Sequence, residues 1–157
     1  MEVRDFRRRD RRRLKGMIES LFINGHIGEE YIPEMVDEVS RASRGKLDGM
    51  VACEDGWPVG YAIYEKTTGT YKLETIMVRP GYHNKGIGRM LIEKVEEKLK
   101  NVTDGDVVLN VVTDISVDGP VGGFYESCGF KISGVVTDEY RPGDTIAHYS
   151  KHLQPKK

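Results

Sequence analysis

The chain has 157 residues, 31% of them charged and 38% hydrophobic, with a formal net charge of −1. That length and balance suit one folded domain with a single sizeable core and exclude a disordered chain. The small net charge requires neither a nucleic-acid nor a membrane partner, no apolar run approaches a membrane span, and Met1 to Phe6 lacks the apolar stretch of a signal peptide.

In chain order, Glu2 to Phe6 reads as a first strand. A helix follows from Asp10, expected as its N-cap, with Leu14, Met17, Ile18, Leu21 and Phe22 at helical spacing. A second helix starts near Pro33, a favoured first-turn residue, and buries Ile32, Met35, Val36 and Val39 before Gly45 ends it. Met50 to Cys53 and Val59 to Tyr64 read as strands around a turn of Glu54, Asp55, Gly56, Trp57 and Pro58. Thr67 to Thr70 turns the chain into a strand over Leu73 to Val78. The helix from Met90 to Lys100 is expected to bury Leu91, Ile92, Val95 and Leu99 and to leave Glu93, Lys94, Glu96, Glu97 and Lys98 wet. Asp106 to Val112 is β-rich, a short helix covers Val121 to Cys128 up to Gly129, and strands follow near Phe130–Val136 and Thr145–Lys151. With no repeat and no linker, one mixed α/β layer structure is expected.

The stretch His83-Asn84-Lys85-Gly86-Ile87-Gly88-Arg89 carries the most chemistry. A glycine-rich turn feeding a helix presents unpaired N–H groups at the positive end of the helix dipole, which suits an anion and most often a phosphate. A side chain at Gly86 or Gly88 would keep a pyrophosphate from the backbone. The plainer reading of the same turn is a helix entry with two loose glycines.

Two separated segments resemble signatures of the GNAT superfamily of acetyl-CoA-dependent N-acyltransferases. Met77 to Gly88 resembles that family's strand-four exit and its Arg/Gln-x-x-Gly-x-Gly/Ala pyrophosphate loop. Phe124-Tyr125-Glu126-Ser127-Cys128-Gly129-Phe130 is similar to the family's Phe-Tyr-x-x-x-Gly-Phe segment. The order of elements also fits, so the resemblance covers nearly the whole chain and implies a single GNAT domain over 1–157. It implies a mixed, mostly antiparallel central sheet flanked by helices, with the fourth and fifth strands splayed apart. Acetyl-CoA is the implied co-substrate. Its pantetheine arm would pair with the backbone of Ile76, Met77 and Val78, and its pyrophosphate would rest on the N–H groups of Asn84, Lys85, Gly86, Ile87, Gly88 and Arg89, beside Phe124. Two departures stand out. His83 replaces the family's Arg or Gln, which makes the first phosphate contact weaker or pH-dependent. Asp118-Gly119-Pro120-Val121-Gly122-Gly123 replaces a regular turn that usually carries Asn and Ala.

Acetyl transfer from a thioester to an amine needs amine deprotonation, a stabilised oxyanion and a reprotonated thiolate. Tyr125 is the candidate acid, against a reading in which it only packs. Glu74 is the candidate base, directly or through water. It is a lone carboxylate in an apolar strand where alternation places Leu73, Thr75 and Met77 on one face and Glu74, Ile76 and Val78 on the other. Similar positions carry Glu in the family's polyamine and diamine branch. In the N-terminal-amine branch the base is often on the fifth strand, where this chain has Asn110. A backbone N–H near Val78 is expected to hold the oxyanion.

The remaining features have plainer readings. Arginines 7–9 and 11–13 read as a solvated helix face rather than an RNA site. Cys128 reads as a small core residue, and two cysteines fit a reducing, cytoplasmic setting. Trp57 closes a hairpin. His26, His148 and His152 have no metal spacing, and no metal is expected. The family's acceptor pocket would here be lined by Glu29, Glu30, Glu34, Asp37 and Glu38, with Asp114 and Asp118 nearby. These acids point to a cationic acceptor, either a polyamine-like molecule or a peptide amine, and Asp138 to Asp144 resembles the aromatic-acidic hairpin of peptide acetyltransferases. A homodimer is left open. The rival class is a catalytically silent acyl-CoA-binding regulatory module.

Overall fold

The structure, a computed structural model, describes residues 1–23, 29–116 and 119–155. His26 and Asp118 lie outside the described residues, as do the side chains of Phe22, Glu29, Pro120 and Val121. The elements are β1 (Glu2–Asp5), α1 (Asp10–Ile23), α2 (Ile32–Ser43), β2 (Asp48–Glu54), β3 (Trp57–Lys66), β4 (Tyr71–Val78), α3 (Ile87–Val102), β5 (Val107–Asp114), α4 (Gly119–Ser127), β6 (Lys131–Thr137) and β7 (Thr145–Leu153). Short 3₁₀ turns precede α2 and α3. Among the described residues the strands form one sheet in the order β1-β2-β3-β4-β5-β7-β6. The β4–β5 pair is parallel, while the β1–β2, β2–β3, β5–β7 and β6–β7 pairs are antiparallel. A parallel neighbour needs a crossover, which α3 supplies. No described helix is long and apolar enough to cross a membrane.

The chain divides into two compact units, Met1–Glu65 with Thr75–Val95 and Lys66–Glu74 with Glu96–Lys157. In the first, α1 and α2 pack Leu14, Ile18, Met35 and Val39 against Val51, Tyr61 and Ile63 of β2 and β3. Full burial of side chains such as Leu14 and Ile18 contributes about 1.5–3 kcal/mol each. Asp10 is not an N-cap accepting from the turn ahead of it. Its buried carboxylate reaches back to the Arg7 N–H at 2.8 Å and takes both Arg4 guanidinium nitrogens at 2.8 and 2.9 Å. This is the backward half of a capping box. The β2–β3 turn is also tighter than its sequence implies. Asp55 and Gly56, with φ of 50° and 78°, form the two-residue connection, and Trp57 and Pro58 already belong to β3. Trp57 is exposed, with the Arg13 guanidinium 4.5 Å over its ring. A Cβ on Gly60 would meet the Met77 carbonyl oxygen at 2.9 Å, so glycine lets β4 approach β3 there.

In the second unit β5 pairs with β7 from Val107↔Leu153 to Asp114↔Ile146, and β4 joins through Tyr71↔Leu109, Lys72↔Asn110 and Leu73↔Val111. Glu96 is not on a wet face. It is buried and takes the Lys151 ammonium at 2.7 Å, while the same ammonium donates to the Cys128 carbonyl at 2.7 Å. The end of α4 explains the spacing Tyr-x-x-x-Gly-Phe. Gly129, at φ 89°, donates to the Glu126 carbonyl, Phe130 donates to the Tyr125 carbonyl, and the two rings meet edge-on at 5.7 Å. That is a Schellman cap with its hydrophobic contact.

Candidate active site

The first unit carries the glycine turn. After Val78 the chain makes a 3₁₀ turn over Pro80–Tyr82 and reaches α3 at Ile87. Asn84 and Gly86 both adopt left-handed φ, 58° and 78°, and His83 to Gly86 are exposed. A Cβ at Gly86 would meet nothing within 4 Å, so the space over this glycine is open. The first N–H groups of α3 have no partner within the helix, which gives the turn its anion-binding character. The His83 imidazole sits 2.6 Å from the Val78 carbonyl through Nε2, which donates in this contact and ties the turn to the end of β4. The Lys85 ammonium lies 5.0 Å over the Tyr82 ring. Gly88 and Arg89 fall in the first turn of α3, where Ile87 is buried. Ile76, Met77 and Val78 are half-buried on β4; Met77 packs against the α1–α2 core.

The second unit carries Tyr125, Phe124 and Glu74. Tyr125 is buried with Phe124, Phe130 and Tyr149 around it at 5.3, 5.7 and 5.9 Å between ring centres. Burial, with a smaller contribution from Cys128, pushes the phenol well above its ordinary pKa, so it holds its proton at neutral pH. The Glu74 carboxylate is 3.2 Å from the Lys72 ammonium and largely shielded. Asn110 cannot act as a base; its amide donates to the Thr70 hydroxyl at 3.3 Å and accepts from Ser150 at 2.8 Å. Lys72, Asn110, Ser133, His148 and Tyr149 help to line a cleft of about 360 Å³; Glu74, Phe124 and Tyr125 are not among its lining residues. His148 faces Glu139 at 3.2 Å. Asp144 is buried as the clamp of the β6–β7 turn, accepting the N–H groups of Glu139, Tyr140 and Arg141.

The acids of the second helix do not form one surface. Glu30, Glu34 and Asp37 are exposed, whereas Glu38 is buried and accepts a hydrogen bond from the Thr75 hydroxyl of β4. Tyr61 lies within reach of the Glu38 charge. Helical spacing held the signal for this group, since Met35, Glu38, Val39 and Ala42 share one stripe. Among the described residues no group of three or more His, Cys, Asp or Glu side chains is placed to hold a metal ion.

Comparison with known proteins bears on the family and the fold. The model of the acetyltransferase (GNAT) domain matches residues 47–132. A crystal structure assigned to the GNAT acetyltransferases, from Desulfovibrio desulfuricans, is 28% identical with a TM-score of 0.81, over 96% of this chain and 98% of that one. An aminoglycoside 6'-N-acetyltransferase complexed with coenzyme A shares the fold at 16% identity and a TM-score of 0.79, over 100% and 99% of the two chains. A ribosomal-protein-alanine N-acetyltransferase from Brucella melitensis does so at 19% and 0.76, over 98% and 100%. No curated protein sequence matches. A family model that spans both the strands ahead of the glycine turn and the Schellman corner of α4 leaves one conclusion: the chain belongs to the GNAT family of acetyltransferases.

Proposed function

We propose that this GNAT acetyltransferase moves the acetyl group of acetyl-CoA directly onto a primary amine of a cationic acceptor, either a polyamine-like molecule or a peptide amine. The carrying observation is the turn from His83 to Arg89, in which Asn84 and Gly86 are left-handed and Gly86 faces open space just ahead of α3. In this reading the pyrophosphate rests on that turn, the pantetheine arm runs along Ile76 to Val78, and Phe124 lies against the cofactor. The amine nitrogen attacks the acetyl carbonyl carbon, and an N–H near Val78 holds the oxyanion. The C–S bond then breaks. Glu74 takes the proton lost by the amine, directly or through water, and Tyr125 returns one to the thiolate. Burial keeps the phenol protonated but also makes it a weaker donor, so its transfer depends on the thiolate lying within hydrogen-bond reach.

The high coverage of both chains in the structural matches supports reading residues 1–157 as one GNAT domain. Two buried cysteines outside any disulfide, Cys53 and Cys128, support a reducing, cytoplasmic setting. A thiol-release assay with acetyl-CoA across cationic, neutral and anionic amines tests the proposal. Turnover confined to neutral or anionic acceptors would refute the cationic acceptor.

A further inference from the structure

Glu38, Thr75 and Tyr61 form a polar group inside an otherwise apolar core. Glu38 is 6% exposed on α2, and its carboxylate accepts from the Thr75 hydroxyl. Tyr61 on β3 is fully buried, and its hydroxyl has no hydrogen-bond partner among the described residues. Its neighbours are the apolar side chains of α1 and α2 and, within electrostatic range, the Glu38 carboxylate. A buried hydroxyl without a partner is unusual, because folding has stripped its water and returned nothing. Thr75 gives the group a half-buried edge on β4, immediately before Ile76, while the Tyr61 hydroxyl is itself closed to solvent. A ligand ammonium carries three donors and no acceptor. It would find two acceptors here, the Glu38 carboxylate and the oxygen of the Tyr61 hydroxyl.

A buried carboxylate holds a bound ammonium in its charged form. That suits a nitrogen that keeps its proton and opposes the nitrogen that must lose one to attack the thioester. We infer that Glu38, Tyr61 and Thr75 form the seat for a second, non-reacting ammonium of the acceptor, which makes the preferred substrate a di- or polyamine. This rests on the acetyl transfer proposed above and selects between its two acceptor classes.

The test compares spermidine with n-butylamine on the wild type and on Tyr61→Phe and Glu38→Gln, by thiol release and by calorimetric binding of spermidine. The wild type should favour spermidine in kcat/KM. Tyr61→Phe should raise the spermidine KM about tenfold, as expected for one hydrogen bond to a charged group, with the KM for acetyl-CoA and the rate on n-butylamine unchanged. A purely structural hydroxyl predicts the reverse: an equal or higher melting temperature and an unaltered spermidine KM. Glu38→Gln should abolish the preference, and Thr75→Val should weaken it if Glu38→Gln fails to fold. Unchanged spermidine kinetics in Tyr61→Phe, or a wild type that favours n-butylamine, overturns the inference. If no amine is acetylated, the acetyl-transfer reading fails separately. Calorimetry then decides the site: spermidine binding weakened by Tyr61→Phe sustains it, and no binding or unaltered binding overturns it.

Discussion

Gly86 shows how one residue can serve both folding and binding. Its φ of 78° is left-handed and the space beyond its Cα is open. Gly86→Val should therefore lower stability by about 1–2 kcal/mol through backbone strain alone, and raise the KM for acetyl-CoA by filling the phosphate approach. Thermal melting and initial-rate kinetics check the two effects separately; a variant that melts early but keeps its acetyl-CoA KM would remove the turn from the cofactor site. Tyr125 is tested through kcat. Tyr125→Phe keeps the ring contacts to Phe124, Phe130 and Tyr149, so its fold and acetyl-CoA KM should hold while kcat falls by about 10²-fold or more, the usual range for a lost proton donor. An unchanged kcat would leave the phenol a packing group. For Glu74, Glu74→Gln should move the pH optimum of kcat/KM for the amine upward, since the amine must then shed its proton without the carboxylate. A profile that does not move would shift the base elsewhere.

At the scale of elements, the N-terminal clamp makes a signed prediction. Burial raises the Asp10 carboxyl, but the Arg4 guanidinium and the Arg7 N–H outweigh it and hold the group below its ordinary value. A depressed carboxylate contributes stability above its unfolded pKa of about 3.9, and loses it as pH falls through the folded value. Asp10→Asn should thus be less stable than the wild type by about 1.5–3 kcal/mol at neutral pH. The gap should close as the pH falls below about 4. A gap independent of pH would mean that the clamp acts by shape rather than charge. The same element shows what sequence could reveal. That a helix begins near Asp10 was legible from its spacing, but which way the carboxylate turns was not, because that depends on Arg4 of β1 lying alongside it. The α4 corner was more legible, since a Schellman cap is written locally in Tyr125, Gly129 and Phe130. Glu96 was misread as wet because its partner, Lys151, comes from a strand distant in sequence. Charge alone argued for the surface there.

At the scale of the whole molecule, the donor half of the reaction was legible and the acceptor half was not. The cofactor reading follows from a local, glycine-defined backbone shape, which a sequence states directly. An acceptor site is assembled from side chains on several elements, and only folding brings Glu38, Tyr61 and Thr75 together. The solved structures that share the fold are named for acceptors as different as aminoglycosides and ribosomal-protein alanine. Fold therefore does not choose the acceptor. The net charge of −1 likewise gives no global attraction for cations, so any preference for them has to come from the site itself. The most direct test is release of coenzyme A thiol from acetyl-CoA in the presence of an acceptor panel spanning polyamines, peptide N-termini and neutral amines. The account predicts turnover with cationic amines and formation of the N-acetyl product in equal amount. Tight acetyl-CoA binding with no turnover on any acceptor would contradict it and mark the protein as a silent acyl-CoA-binding module.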